Sequence, residues 1–196
     1  MSSFETDLSN STRWFKEIVW PEISEWYLYN SADLIPAEGY DNKLHDSFDT
    51  VAGIDFWVVE SNRGMFSIAS RVQTYDKTTF TVRYSRSSGN DTEYQKRVQQ
   101  LESNYELPTY TVQAYIDPTL EVLRNVASVR TDEFYEYLKR GKPDKDWPLI
   151  PSNESEMFFP VEWRELDSVM DLNVYDRERA NLEHRKPKNE NLQSWV

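Results

Sequence analysis

An acid, a guanidinium and an amide recur along residues 46–73, DSFDTVAGIDFWVVESNRGMFSIASRVQ, at spacings that a sheet could bring together. Ile54-Asp55-Phe56-Trp57-Val58-Val59 alternates as a strand. The polar turn Ser61-Asn62-Arg63-Gly64 returns the chain through a second strand, Met65 to Gln73. Period-two alternation of β-branched and aromatic residues around a glycine-containing loop predicts a hairpin. Asp55, Trp57 and Val59 then share one face of the first strand, and Ser67, Ala69, Arg71 and Gln73 one face of the second. If those faces coincide, Asp55 and Arg71 lie side by side, an arrangement suited to metal-dependent phosphodiester chemistry.

The charge around this pair is uneven. The 196 residues carry a net charge of −12, which argues against broad adhesion to nucleic acid or membrane. Residues 63–97, however, hold seven basic residues (Arg63, Arg71, Lys77, Arg83, Arg86, Lys96, Arg97) against three acidic ones (Asp76, Asp91, Glu93). That is a local balance of +4, with −16 elsewhere. A basic island in an acidic chain points to an anionic ligand. There is no cysteine and there are only two histidines, His45 and His184, so thiolate chemistry and multi-histidine metal sites are excluded. Any metal would be a hard cation held by carboxylates. Glycine-rich phosphate loops, nucleophile elbows and dinucleotide fingerprints are missing. No leader pattern and no run of about 18 apolar residues occurs. The expectation is a soluble protein that is not secreted and has no membrane partner.

The elements that must position these residues follow in order. Trp14, Phe15, Ile18, Val19, Ile23, Trp26 and Tyr27 recur at helical spacing over 12–29, with a kink expected at Pro21. Residues 30–44 read as a loop with Pro36 and Gly39. After the hairpin, 78–86 alternates as a third strand, which with 53–60 and 65–73 predicts an antiparallel three-strand meander. Asn90, followed three positions later by Glu93, reads as the start of a helix over 91–104. Strands are expected at 109–116 and 120–129, and a helix at 131–140 ends at Gly141. The stretch 142–196 is rich in proline and aromatic residues. It reads as an extension of a 1–141 core domain, with 142–165 clasping that core and the charge-alternating 162–183 forming a helix.

The order helix, three strands, helix, strand resembles the PD-(D/E)XK nuclease-like superfamily over residues 12–140. Gly53-Ile54-Asp55, with Phe48-Asp49 before it, looks like the first acidic motif of that family. Arg71 falls where the family has lysine, Gln73 lies two residues on, and Ala69 stands where the family has an acid. The resemblance implies an α+β fold of three layers: a central mixed sheet flanked by helices, with a restriction-endonuclease-like αβββαβ core. It also implies a catalytic set of Asp55, Arg71, Gln73 and Lys96, the last supplying the relocated lysine charge. Mg²⁺ would be held by Asp55, with Asp49 and a helix-borne Glu22 replacing the acid absent at Ala69; Asp46 and Glu60 are further substitutes. DNA would be gripped by Arg71, Arg83, Arg86, Lys96 and Arg97.

Two functions follow. One is a Mg²⁺-dependent deoxyribonuclease or resolvase-like enzyme. The other is a catalytically inactive interaction or structural protein on the same fold, of viral or mobile-element type, acting as an acidic DNA mimic or an assembly component. The first places the protein in the cytoplasm with DNA as partner. The second places it in a virion or larger assembly, docked through the C-terminal arm or onto a second copy of itself.

Overall fold

The computed structural model describes residues 10–27, 32–37, 53–60, 64–103, 105–153 and 155–177. These residues form an α+β fold built on a mixed six-stranded sheet and a three-stranded antiparallel sheet. The chain opens with a helical segment, α1 (residues 10–26), which passes through a π-helical stretch at Phe15–Val19 just before Pro21. Proline has no amide hydrogen to give to the turn below, and the widened turn accommodates this. β1 (Ala32–Pro36), β2 (Phe56–Glu60) and β3 (Gly64–Gln73) follow as an antiparallel meander. β4 (Thr79–Arg86) and α2 (Glu93–Ser103) precede β5 (Tyr110–Asp117), which pairs with β3 in parallel. β6 (Val122–Arg130) returns antiparallel to β5, and α3 (Thr131–Arg140) leads into β7 (Ile150–Asn153) and β8 (Glu156–Glu162). A single turn, α4 (Trp163–Leu166), and the edge strand β9 (Leu172–Asp176) complete the described residues. The large sheet has the order β1-β2-β3-β5-β6-β9 and the small one β4-β8-β7.

Alternation in the strands makes two cores. On one face of the large sheet Phe56, Val58, Ile68, Val112, Ala114, Ile116 and Val126 meet Phe15, Val19 and Ile23 of α1, which recur every four residues on one helix stripe. On the other face Tyr115, Ala127 and Val129 meet Phe80 and Val82 of β4, Phe134, Tyr135 and Leu138 of α3, and Trp147, Phe159, Val161 and Trp163. The central strands are covered on both sides, so β5 is buried from Thr111 to Ile116 whatever the side-chain parity. No helix among the described residues is long and apolar enough to cross a membrane.

The structure departs from the sequence reading at three places. The 78–86 strand does not continue the meander: β4 pairs with β8, and the far edge of β3 is taken by β5. The turn after β3 causes this, because Asp76 accepts a hydrogen bond from Asn125 Nδ2 of β6 at 2.8 Å and so carries the chain across the sheet face. The three-strand meander is instead β1-β2-β3, and its first member lies inside the segment read as a loop. The expected helix over 162–183 is confined to α4. Beyond it Leu172–Asp176 adds to β6 as a strand, because alternating charge carries no 3.6-residue apolar stripe to hold a helix. Residues 142–177 contribute Trp147, Phe159, Val161, Trp163 and Leu166 to the second core.

Phe159 is fully buried, stacks on Trp147 at 5.6 Å and meets Tyr84 and Tyr94 edge-on. Phe159→Ala should cost about 3–5 kcal/mol in a urea unfolding series. The whole chain should still melt in one transition, since the second core joins residues on both sides of Gly141. A second transition in the variant alone would show that β8 packs independently.

Candidate functional site

A cavity of about 260 Å³ opens where β3 and β5 of the large sheet, β4 of the small sheet and the start of α2 converge. Apolar side chains, among them Phe80, Val82, Val112 and Phe134, contribute to its walls. Cations from three elements enter it: Arg71 from β3, Arg83 and Arg86 from β4, and Lys96 and Arg97 from α2. Asp55, Asp91 and Glu93 are the acids around it.

Arg71 is the anchor. It follows Ala69 on the strand face that turns away from α1, and its guanidinium crosses to the neighbouring elements. It donates to Thr81 O of β4 at 2.6 Å and to Glu93 Oε2 of α2 at 2.7 Å, and lies 5.6 Å from the centre of the Phe158 ring. The other oxygen of Glu93 accepts from the Tyr135 hydroxyl at 2.9 Å. Burial alone would raise the Glu93 pKa. Arg71, Arg97, the Tyr135 hydrogen bond and Arg83 outweigh it and hold the carboxyl below its ordinary value. Burial and the facing carboxylate push the Tyr135 phenol up.

Glu93 can make these bonds because it does not cap its helix. The reciprocal cap is Thr92 with Gln95: Thr92 N donates to Gln95 Oε1 at 2.9 Å, and Gln95 N to Thr92 Oγ1 at 3.4 Å. The helix start read at Asn90 with Glu93 therefore sits two residues too early, and the correction turns Glu93 from a cap into a site residue.

Asp55 precedes β2 and falls opposite Ala69 in the register set by Phe56 and Ile68. It shares the cavity with Arg71 but spends Oδ2 on β3, accepting from Ser70 N at 2.5 Å and Ser70 Oγ at 3.2 Å. The carboxylate thus takes over where the β2–β3 ladder ends. Gly53, two residues earlier, has φ +55° and packs against Arg97, whose Nη2 would lie 2.6 Å from any added Cβ. Arg97 is only 4% exposed and donates to Gly53 O at 2.7 Å and Gln100 Oε1 at 3.0 Å. It lines the cavity chiefly as a strut.

Arg83 and Arg86 face Glu156 of β8. Both Nε atoms approach Glu156 Oε1, at 3.4 and 3.5 Å, and Arg83 also lies 5.2 Å from the centre of the Phe158 ring. Arg83 Nε is buried without a hydrogen bond of good geometry among the described residues. Burial lowers the Arg83 pKa, Arg71 lowers it further, and Glu156 offsets this only in part.

Of the residues expected from sequence, Asp55, Arg71, Arg83, Arg86, Lys96 and Arg97 are brought to one cavity. Gln73 stays outside its lining, bonded to Gln113 Nε2 at 3.2 Å. Glu22 belongs to α1, across the large sheet from Asp55. Asp49 and Asp46 lie outside the described residues, and Glu60 closes the far end of β2. Among the described residues no three acidic or imidazole groups converge on a point that could hold a metal ion. Both Glu93 oxygens and Asp55 Oδ2 are already bonded within the chain. Glu93, which lines the cavity, and Glu156 and Phe158, which contact its arginines from β8, are residues that the sequence reading missed; only the cap at Thr92 could have pointed to the first.

A carboxylate with a depressed folded pKa favours the folded state above the ordinary carboxylate range, and the contribution is lost as pH falls through the lowered value. Glu93→Gln should therefore lower the urea midpoint at neutral pH and flatten its fall in acid; two parallel pH curves would contradict the assignment. Gly53→Ala should cost at least about 1 kcal/mol through its left-handed backbone alone, and more as Arg97 is displaced. Against protein-family models, curated proteins and solved structures alike, the chain gives no match, so the cavity's own residues carry the functional reading.

Proposed function

We propose that the protein is a nucleic-acid-binding module on a nuclease-like fold, gripping a backbone phosphate in the cavity between β3, β4 and α2. The observation that carries this is the convergence of five cationic side chains, from three successive elements that belong to different layers, on one concave site in a chain of net charge −12. A chance scatter of solvated charges would not select the acidic chain's basic residues for one hollow. The order α1, β1-β2-β3, α2 and a parallel β5 accords with an αβββαβ core, with β4 as an addition. The neighbouring carboxylates act as partners of the arginines and of the Ser70 amide, which favours binding over metal-dependent hydrolysis.

Fluorescence anisotropy with a labelled single-stranded oligonucleotide and its duplex tests the reading. Arg86→Ala and Lys96→Ala should each weaken binding roughly 3- to 10-fold and reduce the salt slope by about one. Unchanged affinity in both variants would remove the cavity as the binding site. Cleavage that needs Mg²⁺ or Mn²⁺ and disappears in Asp55→Asn would replace the binding module by the enzyme.

A further inference from the structure

Cross-strand partners on β4 and β8 share a face, and the pairing shifts by one residue between them: Arg83 lies opposite Phe158, Ser85 opposite Met157 and Arg86 opposite Glu156. Without the extra residue, Arg83 and Arg86, three positions apart, would point to opposite faces. The bulge turns both guanidiniums to the side of Phe158 and Glu156. There they converge on one oxygen of one carboxylate, Glu156 Oε1, at 3.4 and 3.5 Å. Arg71, over the same Phe158 ring, has its own carboxylate in Glu93 at 2.7 Å. The two acids are not equivalent. Glu93 is hydrogen-bonded at both oxygens, whereas Glu156 lies near its arginines at the long end of ion-pair distance, and Arg83 Nε makes no hydrogen bond among the described residues.

We propose that Glu156 is a resident stand-in for the ligand phosphate: it occupies the Arg83–Arg86 fork until a phosphate displaces it, and so sets both the affinity and the anion selectivity of the cavity. This rests on the reading that the cavity binds nucleic-acid phosphate, and it adds a residue that works against that binding. A carboxylate tethered beside the fork competes at high effective concentration. A single carboxylate in solution gains nothing over the resident one. A backbone phosphate matches the carboxylate in charge but comes with its neighbours, so a nucleic-acid strand brings further phosphates to Arg71 and Lys96, while inorganic phosphate carries more charge than a carboxylate at neutral pH.

The test compares wild type, Glu156→Gln and Glu162→Gln. The last removes an equal charge from the exposed far end of the same strand, opposite Thr79 and away from the Arg83–Arg86 fork. Thermal melting first establishes that each variant is folded. Binding is read by anisotropy with the labelled single-stranded oligonucleotide, and by competition with inorganic phosphate and with acetate. If Glu156 fills the fork about nine-tenths of the time, its removal should tighten oligonucleotide binding about tenfold, since apparent affinity scales with the competent fraction. Inorganic phosphate should become a better competitor by a similar factor, acetate should compete only in Glu156→Gln, and Glu162→Gln should stay within about twofold of wild type. Equal effects of the two substitutions would show a general charge effect and overturn the proposal, as would weaker binding in Glu156→Gln. Wild-type binding that Glu156→Gln leaves unchanged overturns the stand-in but keeps the binding function. Absence of binding in all three proteins overturns both.

Discussion

One guanidinium, that of Arg71, ties the two sheets and a helix together. It leaves the large sheet at β3, bonds the backbone of β4, pairs with Glu93 at the start of α2, and rests against Phe158 of β8. Arginine suits this position because its planar fork can donate in several directions while its face lies on a ring; a lysine would offer a point charge. With the cation satisfied, the strand face on which it sits can be polar inside an otherwise apolar second core. Thr79 and Tyr115 and then Thr111 and Thr131 continue that polar seam, each pair hydrogen-bonded at about 3 Å. A buried polar group is tolerated when it finds a partner, and along this seam each one does.

The division of labour between the faces of the large sheet follows. Toward α1 the sheet is apolar, and aromatic residues crowd its rim: Tyr27 packs with Phe66 and Tyr110, and its hydroxyl bonds Ser128 Oγ. Burial drives the Tyr27 pKa far upward, so this phenol stays neutral. Toward β4 the sheet carries the charges. Asp55 and Arg71 fall on that side because the period-two parity of β2 and β3 puts both on the face away from α1.

Much of this was legible. The Asp55 and Arg71 strands paired in the register that alternation requires, and the β5 and β6 strands and the 131–140 helix lie close to where their patterns placed them. Alternation reports which residues share a face of one strand, but it does not say which strand lies next door. The alternation of 78–86 therefore reads as a continuation of the meander, although β4 belongs to the other sheet. β1, only five residues long and half-buried, has too little contrast to stand out from a loop. Within the site, the five cations could be read as an island because they are near in sequence. Glu156 and Phe158 could not, since they reach the cavity's arginines through a pairing across about seventy residues. Nor does a bulge announce itself in composition.

That pairing also bears on how the chain acquires its shape. The α1, β1, β2, β3 and β5 elements are complete once about 120 residues are made, and each of these strands already has a partner among them. β4 has no strand partner until β8 arrives, so its backbone edge and its two guanidiniums wait through the synthesis of α2, β5, β6 and α3. Long-range antiparallel pairing of this kind is slow, because the loop must close before any ladder bond rewards it. A nascent chain stopped before Glu156 therefore lacks the strand partner of its cationic β4. A small net charge of opposite sign elsewhere would invite such an edge to find the wrong partner. The strong acidity of the rest of the chain keeps partly made copies apart by mutual repulsion.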